Sequence, residues 1–135
     1  MTQSLTVEHA SDSAARSEAL PRFRRLAKRS EFLRVYETGR KQFSRYVVVF
    51  TAANDLPHSR LGVTATKKLG KANIRNRFKR WTREVYRQQR EVLGIDRRPV
   101  DLVVNVKPNA KDATFHDYQN DLSRAMRRAV SENAR

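Results

Sequence analysis

The apolar residues of this chain follow the two spacings that are typical of strands and helices. Residues 46–51 form an unbroken β-branched and aromatic run, and residues 61–66 alternate apolar with polar side chains, so both segments are predicted strands. A third predicted strand, residues 100–106, ends before Pro108. The turn-forming cluster at residues 54–59 separates the first two strands, and we expect these strands to pair as an antiparallel hairpin.

Three other segments have the 3.6-residue period of amphipathic helices. They cover residues 31–38, residues 71–93 and a segment that begins after residue 114. The residues able to cap or end these helices are Ser30 and Gly39 for the first, Gly94 for the second, and Thr114 with Asp117 for the third. The apolar stripes of the two long helices are Ile74, Phe78, Trp81, Val85 and Val92, then Phe115, Tyr118, Leu122, Met126 and Ala129.

This order of elements, α-β-β-α-β-α, predicts a fold of the α/β (α+β) class, a two-layer sandwich in which helices cover one small sheet. Residues 22–135 are expected to form a single domain, since a chain of 135 residues suits one modest core. Residues 1–21 lack periodicity and end at Pro21, a pattern that is typical of a disordered tail.

The charge balance of the chain indicates an anionic binding partner. The chain has 29 Lys and Arg against 14 Asp and Glu, a net charge of +15, and such self-repulsion destabilises a compact monomer unless an anion neutralises it. Nucleic acid and an anionic membrane are the two candidate polyanions. No apolar run approaches the roughly 20 residues that span a bilayer, and the N-terminus lacks the basic start and apolar core of a signal peptide. We therefore expect a cytoplasmic protein with no membrane partner.

The residues that usually carry catalysis or metal binding are sparse. The chain has no cysteine, which excludes disulfides and thiolate metal sites. His9, His58 and His116 are scattered, without the close pairing that a zinc site needs. The aspartates are also spread along the chain, without the clustering that holds two Mg²⁺ ions. We predict no catalytic residue and no metal or cofactor bound by the protein itself.

The predicted helix over residues 71–93 is unusually basic. Arg75, Lys79, Arg83 and Arg87 form an unbroken i,i+4 series of positive charge, and like charges at that spacing repel. A merely solvated face would interleave Glu with Lys, so this series indicates an anionic partner. Arginine also presents a planar fork to phosphate and stacks on bases. Asn76 fits two interpretations equally, a contact to a base edge or sugar and a plain exposed polar residue.

The same helix carries a family resemblance. The motif Arg75-Asn76-Arg77, preceded by Thr66-Lys-Lys-Leu-Gly-Lys-Ala, resembles the "RNR" signature of the bacterial ribonuclease P protein family. Residues 25–28 and 31–39 are similar to the N-terminal helix of that family. The chain departs from the pattern at Asn73, where the family more often has an aliphatic residue. The resemblance extends over residues 25–130, nearly the whole predicted domain.

The resemblance implies a function. Members are protein subunits of ribonuclease P, a ribonucleoprotein endonuclease that removes the 5′ leader from precursor tRNA, and the catalytic groups and Mg²⁺ belong to the RNA subunit. The implied partners are this catalytic RNA and precursor tRNA, with no obligate protein partner. The resemblance also implies a left-handed β-α-β crossover, against the general right-handed rule.

The resemblance further assigns two sets of binding residues. Those implied to face the catalytic RNA are Arg75, Asn76, Arg77, Lys79, Arg80 and Arg83. Those implied to line a central cleft for the single-stranded leader are Phe32, Tyr36, Phe50, Lys67 and Lys68. Aromatic faces stack on unpaired bases, and lysines track phosphates. Periodicity alone would instead place the three aromatic residues in the core.

Two alternatives share the composition. A ribosomal protein or general RNA chaperone would explain the basic helix equally well. DNA binding through the same helix is a further possibility, but the chain has neither a helix-turn-helix nor a dimer pattern.

Overall fold

The computed structural model describes residues 20–133, which fold into one mixed sheet with three helices. The strands are β1 (Arg40–Phe43), β2 (Val47–Ala53), β3 (Arg60–Ala65) and β4 (Val100–Val106). The helices are α1 (Arg29–Thr38), α2 (Ala72–Leu93) and α3 (Phe115–Asn133). Residues 1–19 of the predicted tail lie outside the described residues, whereas Leu20 is buried against the core.

The strand order is β1-β2-β4-β3, so the predicted hairpin of β2 with β3 is wrong. β4 lies between them, antiparallel to β2 and parallel to β3. β4 takes the central place because it is buried on both faces along nearly its whole length. β2 pairs instead with β1, a short strand that the sequence did not predict. The β3-α2-β4 connection is a parallel crossover, and its hand stays a prediction.

Helices cover both faces of the sheet. Along β2, Val49 faces the larger core under α2 and α3, while Phe50 faces a smaller core under α1. Along β4, Leu102 and Val103 divide in the same way. The α+β class is therefore confirmed, but the helices do not form the single layer that we expected. The reason is that both central strands carry apolar side chains on each face, and each face needs cover.

The first helix begins earlier than predicted, and Ser30 does not cap it. Glu31 does, because its Oε1 accepts the backbone N–H groups of Ala27 and Lys28, both at 2.9 Å. The predicted end at Gly39 is confirmed. A Cβ atom at Gly39 would lie 2.6 Å or less from the carbonyl oxygens of Val35 and Thr51, so glycine is required where α1 turns into β1.

The long helix matches its predicted bounds. It begins at Ala72, so the departure at Asn73 does not disrupt it, and it ends at Gly94 in the left-handed conformation, with φ +63°. The predicted stripe is wrong at Val92, which is 77% exposed, whereas Tyr86 is fully buried. At 100° per residue Tyr86 lies 120° from Ile74, so the buried face is displaced to one side of the predicted stripe.

The last helix also agrees with its prediction. The Thr114 hydroxyl accepts the backbone N–H of Asp117 at 3.1 Å, as a capping residue does. Tyr118, Leu122 and Met126 are fully buried.

Candidate nucleic-acid interface

Four buried side chains orient α2. Phe78, Thr82, Val85 and Tyr86 face the core and have no exposed surface. The Thr82 hydroxyl lies 2.7 Å from the Tyr118 hydroxyl, and the Tyr86 hydroxyl forms a short hydrogen bond with Ser59. Because these contacts fix the rotation of the helix, the opposite side is held towards solvent. Asn76, Arg77, Arg80 and Arg83 lie towards that side, and Lys79 lies at its edge. Arg75 instead lies at an angle between the buried Thr82 and Tyr86.

The predicted residues of α2 form a basic surface about two and a half turns long that wraps around the helix, since Arg75 and Arg77 are about 200° apart around its axis. Asn76 and Arg80 are exposed, and the other members are half-buried; the full set is Arg75, Asn76, Arg77, Lys79, Arg80 and Arg83. None of the cations in this set forms an ion pair with a carboxylate in the described part of the chain. Arg87, the last member of the i,i+4 series, differs because its guanidinium lies 2.6 Å from Glu84. The repulsion that the spacing predicts is thus left uncompensated at Arg75, Lys79 and Arg83.

Two arginines on this surface, Arg75 and Arg83, are also partly desolvated. The Nε of Arg75 is buried and has no hydrogen-bond partner among residues 20–133. Burial, and then the charge of Arg25, lower the pKa of the Arg83 guanidinium. A guanidinium that is desolvated without an anion is destabilising, and a bound phosphate would relieve that cost.

Arg25 brings a second segment to the same surface. Its Nε donates to the Leu20 carbonyl at 2.8 Å, and its backbone forms a parallel bridge with Leu61 on the outer edge of β3. The side of α2 that bears Arg83 therefore faces this edge of the sheet. The sequence assigned no site role to Arg25, because nothing local relates it to a residue almost sixty positions away.

The predicted cleft aromatics meet on the other face of the sheet. The rings of Tyr36 and Phe50 are 4.8 Å apart at 77°, an edge-to-face contact. Phe32 lies over β3, where a Cβ atom at Gly62 would come within 2.7 Å of its ring. Phe50 is 8% exposed, whereas Phe32 and Tyr36 are half-buried. Phe50 therefore belongs to the core beneath, and the other two rings retain accessible surface.

The polar end of this cluster lies near the end of β3. The Tyr36 hydroxyl donates to Oδ1 of Asn105 at 2.9 Å and lies 3.3 Å from the Thr64 hydroxyl. Lys67 and Lys68 are exposed on the turn that follows β3. Lys68 also lines an open depression of about 410 Å³ at the start of α2. The two lysines thus lie in the connection between β3, whose Thr64 contacts Tyr36, and the basic helix α2.

A buried ionic network fixes α1 over the sheet. Asp101 is fully buried in β4 and accepts hydrogen bonds from Arg60, at 2.8 and 3.0 Å, from Asn54 at 2.8 Å, and from Arg34. Arg60 also donates to Glu31 at 2.8 Å. Desolvation alone would raise the pKa of Asp101, but the hydrogen bonds, first from Arg60, outweigh it, so this pKa lies below its ordinary value. The network ties the start of α1 to β3 and β4.

A second carboxylate secures the far end of α2. Asp96 lies 3.1 Å from Arg24 and 2.9 Å from Arg90, and accepts the Ser59 backbone N–H at 2.8 Å. Desolvation opposes ionisation of Asp96, yet these hydrogen bonds lower its pKa to about 2. Arg90 is therefore neutralised within the fold, unlike the cations nearer the start of the helix.

Residues 20–133 contain no group of three or more His, Asp or Glu side chains arranged to hold a metal ion, and His9 lies outside that range. Within the same residues, no helix combines the length and apolar character needed to cross a bilayer.

The fold and the site define a small α+β protein whose long helix carries, from Arg75 to Arg83, cations that have no carboxylate partner among residues 20–133. The sequence model of the family described as Ribonuclease P matches residues 20–130. The ribonuclease P protein component of Clostridioides difficile is 35% identical over 106 residues, 76% of this chain and 89% of that protein. The corresponding protein of Dictyoglomus thermophilum is 35% identical over 113 residues, 82% and 92% of the two chains.

Solved structures agree. The RNase P protein of Staphylococcus aureus matches with a TM-score of 0.72 at 34% identity, covering 78% of this chain and 94% of that one. The RNase P protein of Thermotoga maritima matches with a TM-score of 0.69 at 30% identity, covering 77% and 96%. The chain therefore belongs to the ribonuclease P protein family and has the role of a ribonuclease P subunit.

Proposed function

We propose that this chain is the RNA-binding subunit of a ribonucleoprotein endonuclease that removes the 5′ leader from precursor tRNA. The observation that carries the proposal is the surface of α2, on which Arg75, Lys79 and Arg83 have no carboxylate partner in the described chain. Helix-bound cations at that spacing repel one another, and phosphates would neutralise them.

The catalytic RNA is the proposed partner of this surface. The surface is the set Arg75, Asn76, Arg77, Lys79, Arg80 and Arg83. The unpaired Nε of Arg75 and the desolvated Arg83 would both gain hydrogen bonds from phosphate oxygens. Asn76 is exposed beside them and has an amide free to contact a sugar or base edge.

The single-stranded leader is the proposed ligand of the cleft. Phe32 and Tyr36 offer partly accessible rings on which unpaired bases can stack, and Phe50 supports Tyr36 from below. The exposed Lys67 and Lys68 lie near the cleft, where they can contact the leader phosphates. The binding contribution of the protein would then depend on a leader being present.

The chemical step is assigned to the RNA subunit, with Mg²⁺ held there. The family resemblance supports this assignment. The protein would contribute binding energy and charge neutralisation, which raise substrate affinity and stabilise the folded RNA.

The test is cleavage of precursor tRNA by the catalytic RNA at moderate Mg²⁺, with and without this protein. We expect the protein to increase cleavage, and unchanged cleavage would contradict the proposal. A parallel measurement compares the affinity of the RNA–protein complex for precursor and mature tRNA. Equal affinities would favour a general RNA-binding protein instead.

A further inference from the structure

We propose that Phe43 and Lys41 of β1 form an additional stacking subsite for an unpaired leader nucleotide, adjoining the cleft under α1. The inference rests on the proposed function and extends it to a strand that carries no predicted site residue. It concerns the part of the sheet that lies beyond the three cleft aromatics.

The register of β1 places both side chains on the cleft side of the sheet. Lys41 is paired with Phe50, and Phe43 is paired with Val48. Directly paired residues of antiparallel strands project from the same face, and both Phe50 and Val48 belong to the smaller core under α1. Phe43 is nevertheless 65% exposed, so its ring is available from solvent.

A continuous row of side chains joins Phe43 to the cleft. Phe43 is in register with Val48, Val48 with Asn105, and Asn105 with Thr64, across all four strands. The last three are half-buried, so α1 does not fully cover this row. Asn105 uses its Oδ1 for the Tyr36 hydroxyl, which leaves the Nδ2 donors without a partner among the described residues. The row therefore combines a stacking ring with a hydrogen-bond donor.

The positive charge of Lys41 near Phe43 favours a nucleotide over an apolar ligand. The Nζ of Lys41 lies 5.8 Å from the centroid of the Phe50 ring, which links the new subsite to the cleft. Lys41 forms no ion pair with a carboxylate within residues 20–133. Arg40 is paired with Thr51 and projects from the other face of the sheet, and the Arg45 guanidinium lies 4.9 Å from the centroid of the Tyr46 ring. An exposed aromatic ring beside the unpaired Lys41 suits a base with its phosphate, whereas an apolar peptide would leave this cation unneutralised.

The chemistry of the subsite is stacking with little sequence preference. A phenylalanine ring offers a π-face to any base and no hydrogen bond that would choose among bases. A leader too short to reach β1 would gain nothing from Phe43. We therefore expect the affinity of the complex for precursor tRNA to increase abruptly at the leader length that first reaches Phe43.

The experiment uses the complex of catalytic RNA with full-length protein and a series of precursor tRNAs with progressively longer leaders. For Phe43→Ala we expect about a tenfold loss of affinity for long-leader substrates, the typical effect of one lost base stack. Affinity for mature tRNA and for the shortest leaders should not change.

Three variants separate stacking from other effects. Phe43→Tyr keeps an aromatic face and should retain the affinity step, whereas Phe43→Leu keeps apolar bulk without a π-face and should lose it. Val92→Ala removes a similarly exposed apolar side chain from the far end of α2 and should leave every affinity unchanged. Because Phe43 is mostly exposed, thermal melting should confirm that its variants remain folded.

The outcomes distinguish this inference from the proposed function. If the wild-type complex has no preference for leader-bearing tRNA, the proposed function itself fails. If the wild-type preference is present and Phe43→Ala preserves it at every length, the subsite is overturned. An equal loss for mature and precursor tRNA also overturns it, because Phe43 would then contact another part of the RNA.

Discussion

At the scale of single residues, the basic surface is defined by what each cation contacts. Arg87 and Glu84 compensate each other, and Arg90 is neutralised by Asp96. Arg75 and Arg83 have no such partner, and both are partly desolvated. The unfavourable electrostatics of α2 therefore lie between Arg75 and Arg83.

The Arg75→Ala, Arg77→Ala double variant tests this concentration. We expect weaker binding to the catalytic RNA and a salt dependence, measured as the slope of log K against log salt, that falls by about one unit per lost phosphate contact. Thermal stability of the free protein should not fall, because neither side chain has an anionic partner to lose. The measurement is a set of binding titrations over a range of salt concentrations.

A matched control removes the same charge from another helix. Arg127 and Arg128 are exposed on α3, and their double alanine variant should leave the slope unchanged. A loss of slope as large as that of the α2 variant would show that binding follows net charge and that the position of the charge does not matter.

The sequence could predict part of this surface and not the rest. The i,i+4 spacing of Arg75, Lys79 and Arg83 is visible in any helix, so the repulsion follows from the sequence alone. The proximity of Arg25 to Arg83 is a tertiary contact that no local pattern reveals. Phe43 was missed for a related reason, since its strand was not predicted.

At the scale of secondary-structure elements, the cleft depends on where α1 sits. The helix is short, and its single fully buried residue is Val35. The contacts of Glu31, near its start, and Arg34, near its middle, with the Asp101–Arg60 pair fix the helix to the sheet. We infer that this network sets the spacing between Phe32 and the sheet.

Asp101→Asn tests the network. The substitution leaves Arg34 and Arg60 without their buried carboxylate, and removing one partner of a buried ion pair typically costs about 3–5 kcal/mol. Asparagine retains one oxygen acceptor, so we expect a loss near the lower end, about 3 kcal/mol, in the free energy of unfolding measured with urea.

Asp55 offers the control, because it is exposed and its change to Asn should alter the free energy of unfolding by less than about 0.5 kcal/mol. Equal, small effects of the two substitutions would mean that the network adds nothing to stability. If Asp101→Asn also weakens binding of leader-bearing tRNA while Asp55→Asn does not, α1 is positioned by these contacts.

Element bounds were more predictable than element pairing. The strand over residues 100–106 and the helix ending at Gly94 follow from local apolar patterns and a glycine stop, and both have the predicted limits. The partner of β2 could not be found in this way, because strand order depends on which strand is buried on both faces. Arg40-Lys-Gln-Phe also has no apolar alternation, and it is a strand only because β2 offers it an edge.

At the scale of the whole molecule, the net charge is +15, and only a minority of the Lys and Arg side chains within residues 20–133 form ion pairs with carboxylates. Carboxylates are used where they hold parts of the fold together: Asp96 joins Arg24 to the end of α2, and Asp101 joins α1 to the sheet. Arg75, Lys79 and Arg83 are left without such a carboxylate among the described residues. The charged groups that stabilise the fold, Asp96 and Asp101 with their arginines, thus differ from the cations proposed to bind a polyanion. Substitutions can therefore test stability and binding separately.

Acid titration of the free protein isolates the folding part. The pKa values of Asp96, about 2, and Asp101 lie below the ordinary value, so their stabilisation is complete above about pH 4 and is lost as the pH falls towards 2. Asp96 is partly exposed, so solvent screening limits its share to about 1–2 kcal/mol. We expect the free energy of unfolding, followed by urea denaturation, to decrease over this interval. Asp96→Asn should flatten the decrease while lowering the free energy of unfolding at neutral pH. An unchanged slope would mean that Asp96 does not link Arg24 to Arg90 in solution.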